Sequence, residues 1–525
     1  MKFLRPTLLR FLLLGAAAAP LLSAHVSVSP YFADGMILQR DRPISVWGSA
    51  EPGEKIRVEF HGHSAETTAA ADGKWKATLD PLPAADQPAE LVIAGSDRIK
   101  VSDVLLGDVW LCSGQSNMQF IVYGGPKATF QVDNALAEIA QANHPLIRQF
   151  KFPDTEADEP NEKVAGKWTV CSPETVKDFT AAGYFFARDL QQKIHVPIGL
   201  VLSSWGNTPI EAWISAPMLA SDPAFAVVGQ RWQQALRDYP EANAKYEKAL
   251  AAWTAAKEAA PPAAEDYSVT HLRPKAPWHQ GEPATPSGLF NGMIHPLLSV
   301  AFRGVLWYQG ENNTVRWDEY RRLMTALVVD WRQSFGQPDL PFFWVQLAAY
   351  GAGKPTNETW PRLREAQTQV LSLPNTGMAV AIDIGDRTHI HPHHKQEVGR
   401  RLALLAENKV YGLPVVCEGP MFLNSTRRDH GLVVAFSHAD SGLVARGGKV
   451  EGFVVAGADR KFHPAEATIE GESVFVHSAQ VDQPIAVRYA WVNFPPATLY
   501  NRDALPAVPF RSDDWPIPGA VLPSP

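Results

Sequence analysis

The sequence predicts an α/β protein in which a mostly parallel sheet, covered by helices, is flanked by two β-sandwich-like modules. Three observations carry this. Short apolar runs alternate with helical patterns through the middle of the chain. Strand-like runs separated by Pro-Gly, Asp-Gly and Pro-rich turns fill the stretches on either side. Clusters of Ser, Gly, Asn, Gln and His sit just past the central apolar runs, where a parallel sheet gathers its ligand-binding loops.

Taken in order, residues 1–24 read as a secretory signal peptide. Lys2, Arg5 and Arg10 surround an apolar stretch from Leu8 to Leu22, and Ser23 and Ala24 are the small residues before a cut after Ala24. Gly15 and Pro20 interrupt a segment already short for a membrane span, so the mature chain is expected to be secreted or periplasmic, without a membrane span. Residues 25–103 read as a β module, with strands at Ile44–Gly48, Ile56–Phe60 and Leu91–Ile93. Residues 104–410 hold the α/β region, with candidate strands at Val109–Cys112, Ile198–Leu202, Gly304–Tyr308, Phe342–Leu347 and Met378–Ile382. Inside it, about 216–286 is Ala-, Glu- and Lys-rich with late prolines, the composition of a helical insertion that serves as lid or spacer. A second β module follows at 411–525, with strands at Gly431–Phe436, Val474–Val476 and Ile485–Tyr489.

The chain has 525 residues and a formal net charge of −7, and loss of the signal makes the balance more negative. That argues against nucleic acid or an anionic membrane as a partner. Cys112, Cys171 and Cys417 stand far apart, which excludes a disulfide scaffold and leaves room for one bridge. The 16 Trp suit core or sugar-stacking surfaces equally well on composition alone.

The chemistry gathers around Ser116. Gly114-Gln115-Ser116-Asn117-Met118 follows a buried strand, and a turn at Gly114 would expose the hydroxyl beside the free N–H groups of a helix start. Ser203-Ser204-Trp205-Gly206-Asn207-Thr208 offers a glycine N–H at a second strand end. Tyr308-Gln309-Gly310-Glu311-Asn312-Asn313 offers amides at a third. Ile390-His391-Pro392 follows a fourth. Pro392 reads as a first helical position, with Val398, Leu402 and Leu405 at helical spacing, so His391 is expected at a helix N-terminus whose dipole keeps its ring neutral. Asp386 and Asp383 are the nearby acids that could orient it. Glu311 and Arg364 are either site residues or a structural ion pair. His389, His391, His393 and His394 also suggest zinc, but no separate Asp, Glu or Cys motif completes a shell, so no metal is expected.

These blocks resemble the SGNH-type hydrolases, specifically the sialate O-acetylesterase-like carbohydrate esterases. The likeness extends to Ser204–Trp213, Asn291–Leu297, Leu363–Gln367, Arg488–Trp491 and Pro509–Trp515, and so covers nearly all of the mature chain. It implies a three-layer α/β/α catalytic domain, no cofactor, and an acetylated carbohydrate as substrate. Ser116 is then the nucleophile and His391 the base, with the Ser116 and Gly206 N–H groups and an amide of the third block, Gln309 ahead of Asn312, as oxyanion donors. In one respect the chain departs from the family. The Asp expected two or three residues before the His is replaced by His389 and Thr388, so the acid is Asp386, taken first, or Asp383, or absent. The resulting expectation is a carbohydrate O-acetylesterase for sialic acids or acetylated hemicellulose. A non-catalytic glycan-binding protein is the reading from another class, and a lipase is disfavoured because Gly-x-Ser-x-Gly is missing around Ser116.

Overall fold

The computed structural model describes residues 25–125, 130–259, 273–351 and 358–516. The expected signal peptide at 1–24 and residues 260–272 of the expected helical insertion lie outside that set.

Seven strands form the central sheet: β1 (Arg98–Gly114), β2 (His144–Lys151), β3 (Lys167–Cys171), β4 (Ile198–Ser204), β5 (Gly304–Tyr308), β6 (Phe342–Val345) and β7 (Thr376–Ala379). Their order is β3-β2-β4-β1-β5-β6-β7, with every pairing parallel except the edge pair β3–β2. The helices α1 (Ala181–Ile194), α2 (Ala226–Ala259), α3 (Trp317–Ser334), α4 (Thr359–Gln369) and α5 (Lys395–Lys409) interleave with these strands.

Strands buried on both faces must be apolar at every position, and their side chains divide between two cores. Trp110, Cys112, Leu200, Leu202, Leu306 and Phe343 join α1 and α5 on one face. Leu111, Val201, Val305, Trp307, Phe342 and Trp344 join α3 and α4 on the other. Trp110, Trp213, Trp307, Trp331 and Trp344 are fully buried, so these five tryptophans are core and not sugar platforms.

On the N-terminal side, Lys55–Phe60 and Lys74–Leu79 alternate polar and apolar, turning Ile56, Val58, Phe60, Trp75, Ala77 and Leu79 inward. Strand β1 begins in this region, pairing antiparallel with Ala85–Ala94, and continues without a break into the central sheet. On the C-terminal side, Met421–Arg428, Gly431–Ser437, Ser473–His477 and Glu466–Glu470 form one four-stranded sheet, and Phe462–Pro464, Phe453–Ala456, Ala486–Tyr489 and Phe510–Arg511 another. The long helix α2 buries only Val228 and Trp232 and carries Pro240 in its interior. Among the described residues, no helix is long and apolar enough to cross a membrane.

Two details differ from expectation. The last strand lies at Thr376–Ala379, earlier than expected, because the chain turns from Ala381 onward. Helix α5 starts at Lys395 with His394 as its N-cap, so Pro392 is not a first helical position and His391 stands before the helix. The cause is local: the N–H of Lys395 donates to the carbonyl of His393, a bond too short-ranged to continue a helix backward.

Candidate active site

The carboxyl ends of β4, β1 and β5 are level, since Gly114 pairs in register with both Ser204 and Tyr308. Gly114 has φ +130, and a Cβ there would lie 2.3 Å from the carbonyl oxygen of Tyr308. Only glycine permits so abrupt a departure from the strand. Ser116 then opens a one-turn helix, Ser116–Gln119, at the exposed rim of the sheet.

His391 reaches the same rim on the segment before α5, and its Nε2 lies 2.8 Å from Oγ of Ser116. Its ring packs on Phe130, with centroids 4.9 Å apart. Burial, then the positive charge of Lys395 and the neighbouring His393 and His389, lower its pKa from 6.5 to about 4. The ring is therefore neutral near pH 7 without the helix dipole that the sequence suggested.

Neither aspartate expected to orient it does so. Asp386 Oδ1 accepts from the N–H of Thr388 (2.7 Å), the N–H of His389 (2.8 Å) and the Thr388 hydroxyl (3.0 Å), and also meets His389 Nδ1. This is the local turn that a short acidic side chain builds with its own backbone, and it commits the carboxylate to Thr388 and His389 instead of His391. Burial alone would raise the Asp386 carboxyl, but these bonds outweigh it and hold the pKa at about 2. Asp383 is claimed by Nη1 and Nη2 of Arg401 and by the Tyr500 hydroxyl. Among the described residues, no carboxylate hydrogen-bonds to the His391 ring. Of the other histidines, His389 goes to Asp386 and His394 to Asp133, while Nε2 of His393 is buried without a hydrogen-bond partner.

The third block divides differently from the sequence reading. Gln309 is fully buried, donating to the Thr208 carbonyl and to Asn313 Oδ1 and accepting from the Tyr320 hydroxyl, so both amide hydrogens are already used inside the fold. Asn312 donates to the Asn207 carbonyl at 2.6 Å and so steadies the residue after Gly206. Glu311 accepts from Asn117 Nδ2 at 2.6 Å, and burial raises its pKa. It forms no ion pair with Arg364. That guanidinium is fully buried and donates to the carbonyls of Leu347, Ala348, Val492 and Asn493 instead.

Gly206 lies against the nucleophile: a Cβ on it would come 3.4 Å from Cβ of Ser116. Its N–H donates to Oε1 of Gln119 at 3.0 Å, while Gln119 Nε2 donates to both oxygens of Asp154. Sequence reading missed Gln119. Its signal was spacing, because a residue three beyond Ser116 shares its face on a helical turn. Asn117 and Lys395 were also passed over, although both lie in blocks that attracted attention.

The chain is similar to known carbohydrate esterases. Residues 273–407 match the family of carbohydrate esterases described as sialic acid-specific acetylesterases. The sialate O-acetylesterase of Rattus norvegicus is 31% identical, over 97% of this chain and 98% of its own. That of Homo sapiens is 30% identical over 91% of each chain. A crystal structure of a carbohydrate acetylesterase from Xanthomonas citri superposes with a TM-score of 0.78 at 38% identity, covering 93% of this chain and 100% of that one.

Proposed function

The chain belongs to the sialate O-acetylesterase family of carbohydrate esterases, and from that premise we propose how its residues carry out the reaction. It is a carbohydrate O-acetylesterase, a hydrolase of acetyl esters on sugars. Ser116 attacks the acetyl carbon, and His391, as general base, takes the hydroxyl proton. The same ring then returns that proton to the departing sugar oxygen and activates the water that releases acetate from Ser116.

The observation that carries the reading is the 2.8 Å approach of a neutral imidazole to a rim-exposed serine. The catalytic unit is a Ser-His dyad. The N–H groups of Ser116 and Gly206 receive the oxyanion, with the substrate oxygen replacing Gln119 Oε1 on Gly206. Asn312 and Glu311 support this rim from behind. The two-sided helical cover of the parallel sheet supports an SGNH-type three-layer catalytic domain at about 104–410, with β modules at 25–103 and 411–525. A signal peptide at 1–24 directs the chain to the periplasm or outside the cell.

Acetylated sialic acids are the substrates named for the animal relatives, and we take them as the first substrate class here. The Xanthomonas citri neighbour is named only for carbohydrate acetyl esters, so acetylated hemicellulose is the second arm of the assay. Purified protein is expected to release acetate from O-acetyl sugars, with kcat/KM falling as pH drops through about 4, where His391 becomes protonated. The activity persists above that limb because the base is already neutral there. No acetate from either class would refute the reading.

Asp386→Asn separates dyad from triad. It disturbs only the turn at Thr388 and His389, so kcat is expected to drop by less than about tenfold, against about 10⁴-fold where a true triad carboxylate is neutralised.

A further inference from the structure

A base without a carboxylate partner still needs something to hold its ring in line with the nucleophile. Asn117 follows Ser116 and Ile390 precedes His391, and Asn117 Nδ2 donates to the Ile390 carbonyl at 3.1 Å. One side chain thus ties the neighbour of the nucleophile to the neighbour of the base. An amide can do this only facing the right way, since a flipped Asn117 would set its own oxygen against the Ile390 carbonyl. Its orientation is fixed at both ends: Nδ2 also donates to Glu311 Oε1 at 2.6 Å, and the Lys395 ammonium donates to Asn117 Oδ1 at 2.6 Å.

Lys395 is fully buried and Asn117 nearly so. The ammonium also lies 4.7 Å from the ring centroid of Phe120 and 5.2 Å from that of Tyr308. The usual reason for keeping a lysine in such a place, a direct carboxylate partner, is missing, since Glu311 bonds to Asn117 and reaches Lys395 only through space. An isolated ammonium is costly to bury, and a leucine or methionine would fill the same volume more cheaply. The cost points to a role for the charge.

We propose that Lys395 is a positioning residue for the base: by orienting Asn117 it fixes the Ile390 carbonyl and hence the His391 ring against Ser116, the task a carboxylate performs in a triad. This rests on the Ser116–His391 reading above. The groups facing His391 are Ser116, Lys395, His389 and His393, and those facing Lys395 are Glu311, Tyr308 and Asn117. Lys395 therefore acts on the base in two ways, through the amide and through its field, which opposes protonation of the imidazole.

Two variants separate these, assayed on 4-nitrophenyl acetate with a thermal melt for each. Lys395→Met is expected to lower kcat by about 10- to 100-fold, the loss that follows from misplacing a reacting group, with KM little changed. Its acid limb should move upward from about pH 4 toward 6.5. Asn117→Leu is expected to lose kcat similarly while its acid limb stays near 4, because the ammonium remains. Should Lys395→Met fail to fold, the split between kcat and pH limb in Asn117→Leu decides the matter. A folded Lys395→Met with unchanged kcat and an unmoved limb, or an Asn117→Leu with full kcat, overturns the proposal. Turnover retained by Ser116→Ala would instead sink the dyad and the clamp together, so the two failures are distinguishable.

Discussion

Ser116→Ala is expected to reduce kcat for acetate release by about 10⁴- to 10⁶-fold, the range seen when a serine hydrolase loses its nucleophile. The residual rate comes from substrate binding and the two N–H donors, which the substitution leaves in place. Stability should hardly change. Ser116 is only partly buried, its side chain bonds to His391, and losing such a bond at a rim is worth about 1 kcal/mol. An acetate assay beside a denaturation curve tests both halves. A folded variant that keeps more than about a hundredth of the rate would contradict the assignment, because intact binding groups alone do not supply that much catalysis.

Arg364→Leu is expected to act in the opposite sense, through the fold. Four carbonyls, Leu347, Ala348, Val492 and Asn493, accept from this one guanidinium, which is 0% exposed and lowered by burial to about pKa 9. Leucine would remove that donor from all four. The Ala348 and Asn493 carbonyls keep bonds from Trp360 Nε1 and the Tyr350 N–H, while those of Leu347 and Val492 would be left unsatisfied inside the protein, at about 1–3 kcal/mol each. Rearrangement and water entry relieve part of this, so the net loss should be about 4 kcal/mol in urea or guanidinium denaturation, with the C-terminal segment at 492–493 released from helix α4. A loss below about 1 kcal/mol would show that the carbonyls find other donors. Lysine cannot substitute, since it lacks the planar fork that serves several acceptors at once.

The fold was legible where burial dictates residue type. Val109–Cys112, Ile198–Leu202 and Gly304–Tyr308 are apolar at nearly every position because both faces are covered, and they appear as the sheet centre. Ser116, Gly206 and His391 were legible for a related reason, since each follows such a strand. What escaped was the direction of side chains. Nothing in the spacing of Asp386 announces that Thr388 and His389 donate to it from its own turn, or that Gln309 points inward to Tyr320. Likewise, Pro392 fits a first helical turn by residue type, and only the bond from Lys395 to His393 moves the start of the helix. Local competition among polar groups decides these cases, and a pattern of apolar residues carries no record of it.

Strand β1 joins Ala85–Ala94 at one end to Ser116 at the other along one continuous strand, kinked once at Asp103, where φ is +55. A protease cut, a fusion joint or a truncation placed between them would sever the rod that holds the reactive alcohol, so amputating the N-terminal sheet should cost solubility and not merely an accessory surface. Tension applied at the mature N-terminus would be felt along the same rod as far as the acyl-bearing oxygen, which makes this sheet part of the enzyme's anvil rather than its handle.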